Sequence, residues 1–92
     1  MSVKIISYDL GGPETSGDYK RVGEYMRTFG TRCKPLESFW MVDTDLTCTQ
    51  LRNHIGQFLD GNDKLLVLQW NQVNWATKGM PKDVNDWLEN RT

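Results

Sequence analysis

Arg32–Asp43 reads RCKPLESFWMVD, and the reading of this stretch decides the fold. Pro35 cannot donate to a sheet ladder, so it marks an edge strand or a break. The stretch therefore reads as two short strands, Arg32 to Leu36 and Ser38 to Asp43. The second carries SFWMV, the richest strand signal in the chain. A helix is expected on either side. Upstream, Tyr19 to Phe29 places Val22, Tyr25, Met26 and Phe29 at the i, i+3, i+4, i+7 spacing of a helix with one buried face. Asp18 or Ser16 can cap its start, and Gly30 sits where a C-terminal cap belongs. Downstream, Thr47 and Gln50 form a T-x-x-Q capping box, with Leu46 and Leu51 as its hydrophobic staple. That helix is expected to run to about Leu59, with Leu51, Ile55, Phe58 and Leu59 inward.

The flanks complete the pattern. Val3 to Asp9 (VKIISYD) reads as a strand, and Leu10 to Asp18 (LGGPETSGD) as a loop. Asp60 to Asp63 (DGND) is a turn, and Lys64 to Trp70 (KLLVLQW) reads as a buried strand. Asn71 to Lys78 is irregular. Gly79 then precedes Pro81, which suits the first turn of a last helix with Val84, Trp87 and Leu88 inward. The order β-α-β-β-α-β is the split-βαβ, ferredoxin-like arrangement of the α+β class. It predicts a four-stranded antiparallel sheet with two helices on one face and an extra C-terminal helix.

A two-layer sheet should alternate apolar and polar residues. Instead Leu65 and Val67 are apolar on one side of their strand, and Leu66, Leu68 and Trp70 on the other. Phe39 and Met41 likewise oppose Trp40 and Val42. The face away from the helices therefore needs cover. The C-terminal segment, with Trp75 and Trp87, can supply part of it, and a second subunit is expected to supply the rest.

Composition sets the outer bounds. The chain has 92 residues, enough for one domain and no second, with residues 1–70 as its core and 71–92 as a C-terminal extension. A chain of this length buries roughly 60–70% of its unfolded surface, so a partner subunit would help. Eleven Lys and Arg against twelve Asp and Glu leave a net charge of −1. That excludes a strongly basic nucleic-acid binder and an acidic disordered tail. No apolar run approaches the ~20 residues of a membrane span, and no signal peptide is read at the N-terminus. Cys33 and Cys48 make no disulfide framework, so a reduced, cytoplasmic protein is expected.

The charge is unevenly placed. Lys20, Arg21, Arg27, Arg32 and Lys34 stand against Glu24 alone, a balance of +4 that leaves −5 for the rest of the chain. Beside an aromatic strand, this strip reads either as a phosphate-backbone track or as a solvated helix face. The step Tyr8-Asp9 puts a carboxylate at the end of the first strand, where it feeds a glycine loop. Two copies of Asp9 meeting across a dimer axis could share one divalent cation, with waters and a substrate phosphate completing its oxygen shell. The plainer reading is an Asp that hydrogen-bonds loop amides. The glycine loop matches neither G-x-x-x-x-G-K-[ST] nor G-x-G-x-x-G, so it reads as a connection. His54 has no second His to pair with and reads as a partly buried structural residue. Trp40 and Trp70 are core and interface residues or base-stacking platforms.

The run KIISYDL, a loop, a helix ending RTFG and then TRCKPLESFWMVD resembles the Cas-two family of CRISPR-associated proteins. The shared features fall on Tyr8, Asp9, Gly30, Ser38, Phe39 and Trp40. Asp9-Leu10-x-x-Pro13 with Asp18-Tyr19, and a tail with Trp75, Gly79 and Trp87-Leu88, look closer to stand-alone SinR-like relatives. The resemblance implies a ferredoxin-like homodimer that handles RNA or DNA. It also implies a Mg²⁺-dependent endonuclease site, with Asp9 as metal ligand and catalytic residue and Tyr8 and Ser38 as supporting polar groups. Lys20, Arg21, Arg27, Arg32 and Lys34 would then contact the phosphate backbone. Two departures point away from the family's adaptation-scaffold role. The segment after Asp9 is GGPETSGD where many members place Arg or Lys, and the C-terminus reads as a helix where adaptation proteins use a strand. The alternatives are a non-catalytic module that binds a protein partner or regulates an operon, with Asp9 structural, and an RNase-type toxin of the VapD kind.

Overall fold

The computed structural model describes residues 2–9, 16–59, 61–71 and 74–91. Its elements are β1 (Ser2–Asp9), α1 (Ser16–Met26), β2 (Arg32–Leu36), β3 (Phe39–Thr44), α2 (Cys48–Gly56), β4 (Lys64–Trp70) and α3 (Lys82–Glu89). The four strands form one sheet in the order β2-β3-β1-β4, with every neighbouring pair antiparallel. This is the expected ferredoxin-like topology of the α+β class, with α3 added.

The period-two alternation of the central strands builds two cores. On one face Ile6 and Tyr8 of β1 and Trp40 and Val42 of β3 meet Val22 and Met26 of α1 and Leu51 and Ile55 of α2. Ile6, Val22, Met26, Val42, Leu51 and Ile55 are fully buried. Each such side chain contributes about 1.5–3 kcal/mol relative to exposure. Lys4 shares this face and is 3% exposed. Its burial is tolerated because its amine donates to Ser2 Oγ (2.8 Å) and to the Thr44 carbonyl (3.2 Å).

On the other face Val3, Cys33 and Met41 pack against Val84 and Leu88 of α3, with Trp75 and Trp87 beside them. Arg91 fastens the segment. It forms an ion pair with Asp43 at 3.3 Å, and its guanidinium lies 4.0 Å from the Trp87 ring centroid. The C-terminal segment thus covers the second face as expected, but only in part. Leu66 and Leu68 remain 58% and 38% exposed. Strand β4 differs from expectation here: it is an edge strand with no fully buried residue. Its apolar residues point both ways, and on the α3 side the layer that would cover them stops short.

The helix ends also shift. Ser16–Asp18 belong to α1, so the two residues expected to cap it lie inside the helix, and residues 10–15 before it are outside the described residues. The same holds for most of the glycine loop and for Asp60 of the DGND turn. At its other end α1 stops at Met26. The Thr28 and Phe29 amides bond the Tyr25 and Met26 carbonyls, and the Arg32 guanidinium donates to the Arg27 and Phe29 carbonyls. The orphan carbonyls are therefore satisfied without a left-handed glycine, and Gly30 does not act as the cap. The α2 capping box forms as read: Gln50 N donates to Thr47 Oγ1 (3.1 Å), and Thr47 N to Gln50 Oε1 (2.9 Å). Helix α2 ends at Gly56, and single tight turns carry Phe58 and Leu59 onto the core. Pro81 precedes α3 as its N-cap, one residue outside the first turn, and Gly79 adopts φ 77°.

Ser38 occupies the β2–β3 turn at φ 54°. A side chain in this left-handed region costs on the order of 1 kcal/mol, which glycine avoids. Ser38→Gly is expected to raise the urea midpoint by about that free energy with an unchanged m-value.

Candidate nucleic-acid interface

Tyr8 and Asp9 are adjacent on β1, so their side chains point to opposite faces of the sheet. Tyr8 lies on the helix face, 8% exposed, and its hydroxyl accepts a hydrogen bond from Trp40 Nε1 (3.1 Å). Its amide donates to the Ser38 carbonyl (3.2 Å), which holds the β2–β3 turn against β1. Asp9 is exposed at the strand end on the α3 side of the sheet, opposite Lys64 of β4. The three residues expected to form one catalytic group are therefore divided. Tyr8 and Ser38 come together on one groove, whereas Asp9 points to the other face and shares with Tyr8 only a cavity at the strand end.

Tyr8 and Ser38 line a groove of about 340 Å³ with Lys20, Gly23, Arg27, Lys34, Glu37 and Trp40. The Arg27 guanidinium lies 5.9 Å and the Lys34 amine 5.3 Å from the Trp40 ring centroid. Such contacts hold a cation in place at about 0.5–1 kcal/mol each while leaving its charge available to an anion. Trp40 is 4% exposed, so it is a core residue that positions cations and not a stacking platform for bases. Trp70 is partly buried against the second core. Gly23 explains how Arg27 reaches Trp40. A Cβ at position 23 would meet Arg27 Nη1 at 3.0 Å. Glycine inside a helix costs about 0.5–1 kcal/mol against alanine, and here the bare backbone leaves room for the guanidinium.

The other basic residues stand apart from this groove. Arg32 is engaged at the end of α1 through the Arg27 and Phe29 carbonyls and lines a neighbouring groove with Lys34, Asp83 and Trp87. Arg21 is exposed on α1 and does not line the groove. Lys20 pairs with Glu24 at 3.9 Å, with both side chains largely exposed. That contact is worth at most about 0.5 kcal/mol and leaves the amine able to exchange partners.

Among the described residues no three His, Cys, Asp or Glu side chains come together. Asp9 is therefore in no such cluster, and a magnesium ion held there would draw the rest of its oxygen shell from waters, a substrate phosphate or a second copy. His54 is exposed, not partly buried, and its Nδ1 shares a 2.9 Å hydrogen bond with the Tyr25 hydroxyl on the α1–α2 seam. Burial pushes the Tyr25 phenol up. Both cysteines are free thiols. Burial pushes Cys33 up, Asp83 adds to the rise and Arg91 opposes it, which keeps this thiol protonated and unreactive.

Gly23, Glu37 and Lys64 belong to these sites and escaped the sequence reading. The signal for Gly23 was a glycine amid an otherwise good helical pattern. Lys64 needed the β1–β4 register. Among the described residues no helix is long and apolar enough to cross a membrane. No protein-family model matches the chain.

Proposed function

We propose that the protein is a homodimer that binds nucleic acid through its phosphate backbone, a Cas-two-like protein of the SinR-like kind working in the reducing cytoplasm. The observation that carries this reading is the convergence of Lys20 from α1, Arg27 just past its end and Lys34 from β2 on one groove. Two of the three cations are held over Trp40. A chain of net charge −1 has no long-range attraction for a polyanion. Its binding must come from such a local cluster. The dimer reading is supported by Leu66 and Leu68, which lie exposed side by side on the sheet face that α3 leaves open. A second copy covers them best, because a two-fold axis sets an apolar edge against itself.

Magnesium-dependent cleavage, which the resemblance implies, would use Asp9 as a ligand, with the second copy's Asp9, waters and a substrate phosphate completing the oxygen shell.

Anisotropy of labelled single- and double-stranded RNA and DNA at low salt tests the reading. Arg27→Ala and Lys34→Ala are each expected to weaken binding to all sequences. Each also lowers the slope of log affinity against log salt by about 0.7–0.9 for every phosphate the side chain neutralised. No binding at low salt, together with capture of one specific protein, favours the interaction module instead. Strand cleavage that needs Mg²⁺ and disappears in Asp9→Asn would establish the nuclease role. Cleavage that survives Asp9→Asn would remove it.

A further inference from the structure

We propose that Lys64 is a second phosphate contact, on the face of the sheet opposite the groove, and that Asp9 tempers its charge instead of holding a metal. The inference rests on the nucleic-acid reading and extends it to the other side of the molecule. Asp9 and Lys64 are the last partners of the β1–β4 ladder. Residues directly opposite on antiparallel strands have their Cβ atoms about 4.5–5.5 Å apart. Both are exposed, and among the described residues neither joins an ion pair. They line a shallow cavity of about 230 Å³ at the strand ends with Ser7, Tyr8, Leu65 and Leu66, the next two pairs of the same ladder. A hydroxyl and an ammonium therefore stand on one small patch, with a single carboxylate beside them.

That donor set suits a phosphodiester oxygen better than a divalent cation. An ammonium one strand away from Asp9 repels a cation and attracts an anion. The patch also borders the exposed Leu66 and Leu68 edge, so in a dimer closed over that edge each copy places one Lys64 at the rim. The two copies of Lys64 would then flank the apolar seam and hold a strand running across it.

The two roles for Asp9 give opposite signs. A metal ligand loses function on Asp9→Asn, whereas a tempering carboxylate that is removed leaves Lys64 more attractive to phosphate. The test is binding of a labelled single-stranded oligonucleotide in EDTA over a range of salt. Lys64→Gln is expected to lower the salt slope by about 1.4 per dimer, two phosphates at ~0.7 each on a single strand. Asp9→Asn is expected to tighten binding about two- to fivefold, the range of one exposed charge interaction. A Lys64→Gln slope equal to wild type, with Arg27→Ala and Lys34→Ala slopes reduced, overturns the role of Lys64 and leaves the groove reading standing. Binding that disappears on adding EDTA or in Asp9→Asn overturns it in favour of a metal. A wild-type protein that binds no nucleic acid overturns both. Lys64 is exposed, so a thermal melt matching wild type confirms that Lys64→Gln remains folded.

Discussion

Replacing Leu66 and Leu68 together by lysine is expected to leave a folded monomer with weakened nucleic-acid binding. Both side chains are exposed in the single chain, at 58% and 38%, so the chain's own core does not depend on them. In a dimer closed over that face they are taken out of water in both copies. Their exposed fractions amount to about one Leu per copy, so at about 1.5–3 kcal/mol for each fully buried Leu closing the dimer gains roughly 3–6 kcal/mol. That is about two to four decades in dissociation constant. Like charges set against one another across the axis add to the effect. Sedimentation equilibrium reads the result. Wild type should sediment at twice the 10.7 kDa chain mass and the double variant at the chain mass. Near-UV circular dichroism should be the same for both. A wild type that is monomeric at tens of micromolar would remove the dimer from the account.

The largest loss of stability is expected from Leu51→Ala. Leu51 has no exposed surface and lies in the first turn and a half of α2, within the cluster that also holds Ile6, Val22, Met26 and Ile55. Truncating a buried Leu costs about 2–5 kcal/mol, the transfer free energy plus the cavity left behind. In a domain of this size each kcal/mol moves the melting midpoint by roughly 4–8 °C. The neighbouring Arg52 is exposed, and Arg52→Ala should stay within about 0.5 kcal/mol of wild type. Thermal melts of the two variants side by side check the assignment of the α2 face. Equal melting points would contradict it.

The element order was legible because punctuation and periodicity agree along most of the chain. The Thr47–Gln50 box, Pro35 within the edge strand β2, and Val84, Trp87 and Leu88 at helical spacing each marked an element that the structure contains. Helix ends were less legible. Arg32 does the work expected of Gly30 by reaching back from β2 to the carbonyls of α1, an arrangement no local pattern encodes. The buried reading of β4 failed for a similar reason. An apolar run reveals that a strand wants cover on both faces, and the reach of α3 decides how much it receives.

The site was legible as residue types and not as an arrangement. The basic strip gave Lys20, Arg27 and Lys34 their place on the groove, yet it also gathered Arg21 and Arg32, which the structure puts elsewhere. Tyr8 and Asp9 looked like one site because they are adjacent in sequence. On a strand, adjacency means opposite faces, and Trp40 claims the Tyr8 hydroxyl for the core. The pairing of Asp9 with Lys64 depends on the register of strands far apart in the chain, and it changes what chemistry Asp9 has beside it.

The central claim is that the groove between α1 and the β2–β3 turn receives the phosphate backbone. Amide chemical-shift mapping of the protein with a short single-stranded oligonucleotide at low salt tests it most directly. Shifts are predicted along residues 20–27 at the end of α1 and residues 34–40 across the β2–β3 hairpin, fading as salt is raised, with α2 unmoved. An oligonucleotide that shifts no amide, or shifts only those of α2, would contradict the account.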